Sequence, residues 1–174
     1  MPKLTSIRLR KELKQLDKDL LIKEILELFS NFKNVQEYYQ MRFMSPNRQA
    51  ILDSYKEKIR KEYFPDRGFG HARNAVSRSI LNEFKKIKPD IKDLIDLILY
   101  KVENGVAFTN AYGDIDESFY NSMESSYKEA LELIAKNNLL KKFQERCQKI
   151  VQDTEGIGWG FHDCLGDFYG EYYE

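Results

Sequence analysis

The chain has 174 residues with 28 basic and 28 acidic side chains, so no net charge advertises a nucleic acid or a membrane as partner. Its 42% apolar and 13% aromatic content suits one real core, because a chain of this length buries roughly 70% of its unfolded surface. Few Gly and Pro exclude a collagen-like chain, plentiful Leu, Ile, Phe and Tyr exclude disorder, and apolar runs as short as Leu20-Leu21-Ile22 exclude a membrane span or signal-peptide core.

Helical periodicity dominates from the start. Thr5 or Ser6 is placed to cap a helix bearing Leu9, Leu13 and Leu16, and a second begins near Asp17 and carries Leu21, Ile25, Leu28, Phe29 and Phe32. With a short third helix marked by Val35, Tyr38, Tyr39 and Phe43, residues 1–44 form an N-terminal hairpin region. Ser45-Pro46 opens the next helix, Ser as cap and Pro in the first turn; its face is Ile51, Leu52, Tyr55, Ile59 and Tyr63, and Phe64-Pro65 stops it. Residues 66–70, with Gly68 and Gly70, read as a loop. Ala72, Ala75, Val76, Ile80, Phe84 and Ile87 make a further stripe.

Pro89 sits near the first turn of the most apolar helix, running from Ile91 through Val106 and expected at the centre of the core; Tyr112-Gly113 ends it. Asp114, Asp116 and Glu117 crowd the next N-terminus, where the helix dipole favours negative charge. Phe119, Met123, Tyr127, Ala130, Leu131 and Ile134 follow, then a break at Asn137-Asn138 and a helix bearing Leu140, Phe143, Cys147, Ile150 and Val151. In residues 156–174, a Gly-rich loop precedes Phe161, Cys164, Leu165, Phe168, Tyr169 and Tyr172, which keep helical spacing although Gly166 and Gly170 each weaken it by about 1 kcal/mol. The expected structure is all-α, one domain over residues 1–174 with eight or nine helices, either an irregular bundle or a short helical-repeat-like stack.

Three N-terminal segments, Leu9-Arg10-Lys11-Glu12-Leu13, Leu21-Ile22-Lys23-Glu24-Ile25 and Val35-Gln36-Glu37-Tyr38-Tyr39, together with the distinctive tail Gly156-Ile157-Gly158-Trp159-Gly160-Phe161-His162-Asp163, resemble a bacterial family of unknown function, DUF6155. The resemblance covers essentially the whole chain. It implies a compact helical bacterial protein and supplies no activity.

Three constellations are candidates for function. The zero net charge hides an asymmetry: residues 1–88 hold 20 basic and 11 acidic side chains, residues 89–174 hold 8 and 17. Arg60, Arg67, His71, Arg73 and Arg78 could therefore track a phosphodiester backbone, with Phe64 or Phe69 stacking on bases. Alternatively the two halves neutralise each other, within the chain or head to tail with a second copy. The loop Arg67-Gly68-Phe69-Gly70-His71-Ala72-Arg73 could also hold a small anion on backbone amides and guanidinium groups, though it is neither a Walker loop nor a dinucleotide fingerprint. A flexible turn with solvated arginines is the plainer reading. In the tail, His162, Asp163 and Asp167 are metal-competent, yet no standard ligand motif accompanies them and a solvated acidic face accounts for the carboxylates.

Nothing points to catalysis: Cys147 lies on an apolar stripe, no serine sits in a nucleophile elbow, and no cofactor motif is present. Two cysteines fit a reducing, cytoplasmic compartment. The expectation is a non-catalytic binding or scaffolding module with a protein partner or self-association and no membrane role. A nucleic-acid-binding protein is the alternative, and a metal-binding helical protein the third. Trp159 and Phe161 are the candidate interaction residues, Trp159 being either a partner anchor or, slightly favoured, a plug for the core.

Overall fold

The computed structural model describes residues 3–173, and among them every regular element is a helix. In chain order these are α1 (Ser6–Leu13), α2 (Lys18–Asn31), α3 (Lys33–Phe43), α4 (Ser45–Tyr63), α5 (Asn74–Lys86), α6 (Ile91–Tyr112), α7 (Glu117–Lys136), α8 (Leu140–Asp153) and α9 (Phe161–Tyr173). Short polar side chains start several of them by accepting from orphan amides: Thr5 from Arg8, Asp17 from Leu20, Asp90 from Lys92 and Asp116 from Phe119. Pro89 precedes the Asp90 cap and so lies just outside the first turn of α6. The Ser45 side chain, read as a cap, lies outside the described residues; the helix starts after Met44 with Pro46 in its first turn.

α6 is the axis of the fold, as its apolar sequence predicts. It packs against α4, α5, α7 and α8, while α9 closes over α7 and α8. Ile95, Leu97, Ile98, Leu99 and Val102 are fully inaccessible. Gly105 lets α7 approach closely, since a Cβ there would lie 2.5 Å from the Met123 sulfur. Two buried tyrosine hydroxyls are tied off, Tyr127 donating to the Cys147 carbonyl at 3.0 Å and Tyr55 to the Glu37 carboxylate at 2.8 Å, whereas the buried Tyr63 and Thr109 hydroxyls find no partner among the described residues. No helix among the described residues is long and apolar enough to cross a membrane.

The N-terminal arm is built differently. Neither α1 nor α2 contains a buried residue, and the substantial packing of α2 is against α3 alone. Of the leucines and isoleucines that the periodicity places on an inward face, Leu9, Ile25 and Leu28 are exposed and Leu13, Leu16 and Leu21 only half-buried.

Candidate functional site

The loop of residues 66–73 is already occupied by an anion of its own. Glu62, near the end of α4 and only 7% exposed, turns its carboxylate under the start of α5. Its Oε1 accepts from the Arg73 backbone N–H at 2.9 Å and from Arg73 Nε at 2.8 Å, and Oε2 accepts from Nη2 at 2.9 Å. The Glu62 carbonyl takes the His71 and Ala72 amides. The Arg73 guanidinium holds the Glu62 carboxyl below the usual carboxylate range. Gly70 permits this closure because its α-carbon lies against the Tyr63 carbonyl, where a Cβ would come within 1.8 Å of the oxygen.

Two of the five residues read as an anion or nucleic-acid surface are therefore already paired within the chain. Arg73 is locked on Glu62, and Arg60 bridges Glu57, the Phe64 carbonyl and Asp66 at 2.6–2.8 Å. Arg67 and His71 remain exposed on the loop beside Phe69, while Arg78 lies further along α5 and faces a different part of the molecule.

The tail also departs from expectation. Phe161 is buried at 1% exposure with its ring 4.9 Å from that of Tyr120, so it is a core residue and not a surface contact. Trp159 is 60% exposed, which overturns the core-plug reading. The chain turns at Trp159 with φ +63°, sending the indole outward while Ile157 and Phe161, two residues to either side, pack inward. His162 faces Thr154, with Nδ1 and Oγ1 2.9 Å apart. Because the Thr154 hydroxyl gives its proton to the Val151 carbonyl at 2.6 Å, the imidazole must donate from Nδ1. Asp163 and Asp167 point to solvent, and among the described residues no three His, Cys, Asp or Glu side chains gather to hold a metal. The metal set does not assemble. Both thiols are free, and burial pushes Cys147 and Cys164 up to about 11, away from nucleophilic use.

Sequence reasoning missed the most unusual polar group in the molecule. Lys101, on α6, is 1% exposed, and its ammonium donates to the Ser126 hydroxyl at 2.8 Å, the Ser122 hydroxyl at 3.1 Å and the Ser122 carbonyl at 3.3 Å, all on α7. Among the described residues no carboxylate pairs with it. Burial pushes its pKa down to about 8, and the positive charge of Arg78 adds to the fall. A cavity of about 390 Å³ opens beside it, lined by Arg78, Asn82 and Lys85 of α5 and by Ser122, Ser125 and Glu129 of α7. As it stands this is not a serine–lysine nucleophile: the Ser126 hydroxyl gives its proton to the Ser122 carbonyl, so Lys101 is a donor to it rather than its base. The signal was there to find, since Lys101 follows Ile98 by three residues and precedes Gly105 by four on the buried stripe of the most apolar helix.

A family model described as a family of unknown function, DUF6155, matches residues 4–169. The chain belongs to the DUF6155 family. No curated protein and no solved structure matches it. The matched region spans the arm, the Glu62 loop, the Lys101 cavity and the tail up to Tyr169.

The exposed large hydrophobics of this DUF6155 chain are concentrated in its first 44 residues. Leu4, Ile7, Leu9, Leu20, Ile22, Ile25, Leu26, Leu28, Phe32, Phe43 and Met44 are all exposed large hydrophobics, whereas among the described residues after 44 only Phe69, Tyr112 and Trp159 are.

Proposed function

We propose that this protein is a non-catalytic helical interaction module that pairs with a second copy of itself through α1 and α2. The observation that carries the reading is α2: 14 residues, none of them buried, with Ile22, Ile25 and Leu26 facing solvent. An isolated helix of that length is marginal in water, and packing on α3 leaves Ile22, Ile25 and Leu26 uncovered, so further apolar cover would stabilise it. Charge favours an antiparallel copy as occupant. Residues 18–23 of α2 carry Lys18, Asp19 and Lys23, a net charge of +1, and residues 24–31 carry Glu24 and Glu27, a net charge of −2, so a two-fold axis across the helix sets each more basic end against the partner's acidic end. The free thiols Cys147 and Cys164 support a reducing, cytoplasmic setting. The nucleic-acid alternative loses support because Arg60 and Arg73 are neutralised within the chain.

Light scattering on the full chain at tens of micromolar tests the pairing. The expected mass is twice the 20.6 kDa of one chain, falling to one chain when Ile22→Glu and Leu26→Glu are combined, with helical circular dichroism kept. Phe69→Glu, on the distant loop, should leave the dimer intact. A monomeric parent, or a double variant that stays dimeric, overturns the reading.

A further inference from the structure

We propose that the cavity between α5, α6 and α7 binds a small phosphate-bearing molecule, with Arg78 and Ser122 on its oxygens and the buried charge of Lys101 behind them. Three cations line this space, and one carboxylate, Glu129, is already paired with Lys85 at 2.5 Å. Two positive charges are left, Arg78 and Lys101. The Arg78 guanidinium makes no hydrogen bond or ion pair among the described residues, so its fork is free. A buried ammonium with no direct ion pair, close to a second cation and offset only by the neighbouring Glu129, is costly, and a bound dianion offsets both cations.

The hydroxyls fix the direction of the remaining donors. Ser126 and Ser125 give their protons to the carbonyls of Ser122 and Asn121. Ser122 Oγ accepts from Lys101, and no acceptor among the described residues takes its proton, which leaves that O–H to the cavity. Donors thus approach from α5 on one side and α7 on the other, an arrangement suited to a tetrahedral oxyanion more than to a planar carboxylate. The volume of about 390 Å³ exceeds the needs of one phosphate group, and Leu81 gives part of the wall an apolar surface for an attached organic group.

The probe is inorganic phosphate at pH 7 and low ionic strength, followed by the width of its phosphorus resonance as full-length protein is added. Saturable broadening is expected, with binding at least tenfold weaker in Arg78→Ala and in Lys101→Met and unchanged in Arg67→Ala. Arg78 is exposed, so its variant keeps the fold and serves if Lys101→Met does not. Phenyl phosphate should compete and acetate should not. Absence of saturation, an Arg78→Ala protein that binds as tightly as the parent, or acetate competing as well as phenyl phosphate would each overturn the proposal.

Discussion

Replacing Lys101 with Met should change how stability depends on pH, and by an amount the structure sets. An ordinary lysine releases its proton near 10.5, whereas burial brings Lys101 down to about 8 in the native chain. Below pH 8 both states hold the proton, and the native state bears the whole cost of burying it. Between pH 8 and 10.5 the unfolded chain keeps a proton that the native chain has released, so stability rises with pH across that window. The gap corresponds to about 3 kcal/mol at roughly 1.4 kcal/mol per pH unit. Cys147 and Cys164 oppose this above pH 9, because the unfolded chain gives up its thiol protons first. Comparison with Lys101→Met, which carries the same thiols, cancels their contribution. Met fills a similar volume without charge, and the Ser126 hydroxyl keeps its bond to the Ser122 carbonyl. Urea unfolding followed by circular dichroism at pH 7, 8, 9 and 10 measures both proteins. The variant should be at least as stable as the parent at pH 7, with its advantage shrinking by about 2–3 kcal/mol by pH 10. A difference between the two proteins that does not move with pH would refute the burial argument.

The tail should divide sharply: Phe161→Ala should cost about 3–5 kcal/mol, Trp159→Ala less than about 0.5 kcal/mol, and the single Trp should emit as a solvated indole fully quenched by acrylamide. Gly70→Ala should lose about 1–3 kcal/mol or more in urea unfolding, since the loop has to move away from the Tyr63 carbonyl. The lowered pKa of Glu62 stabilises the fold above its ordinary value of 4.5, and that contribution is lost as pH falls through the native value. Glu62→Gln should therefore be less stable than the parent at neutral pH, with the two acid-unfolding curves converging at low pH.

What the residue pattern discloses is what local spacing controls. The Thr5 cap, the helix starts near Asp17 and Asp116, the breaks at Phe64-Pro65 and Asn137-Asn138, and the central place of α6 all follow from neighbours within a few positions. Periodicity marks an apolar face without telling what covers it. Leu9 and Ile25 have core-like spacing yet stay exposed, because α1 and α2 lie outside the core built around α6. Long-range pairing is equally silent: Glu62 meets Arg73 across eleven residues of helix end and loop, so the loop looked like an empty anion cradle. Trp159 was misjudged because a positive φ at one residue, which decides whether the indole points in or out, leaves no mark in the spacing.

The opposite charges of the two halves bear on the choice of assembly. They meet inside one chain: Lys56 of α4 pairs with Asp96 of α6 at 2.7 Å, and Lys85 of α5 with Glu129 of α7 at 2.5 Å. Asp96 is also bound by Arg146 of α8, which takes Glu103 as well, so α4, α6 and α8 share one part-buried network. Part of the asymmetry is thus used in holding the helices together, which removes the main reason for a head-to-tail contact. Such a contact would also be heterologous and grow into a ring or a filament, whereas two-fold arm-to-arm pairing closes at two. Salt distinguishes them. A contact held by exposed charges weakens as screening shortens to about 3 Å at 1 M, while burial of Ile22, Ile25 and Leu26 does not. Sedimentation should find the dimer undiminished from low salt to about 1 M. Dissociation in high salt would place the contact on the charged faces and leave the arm without its partner.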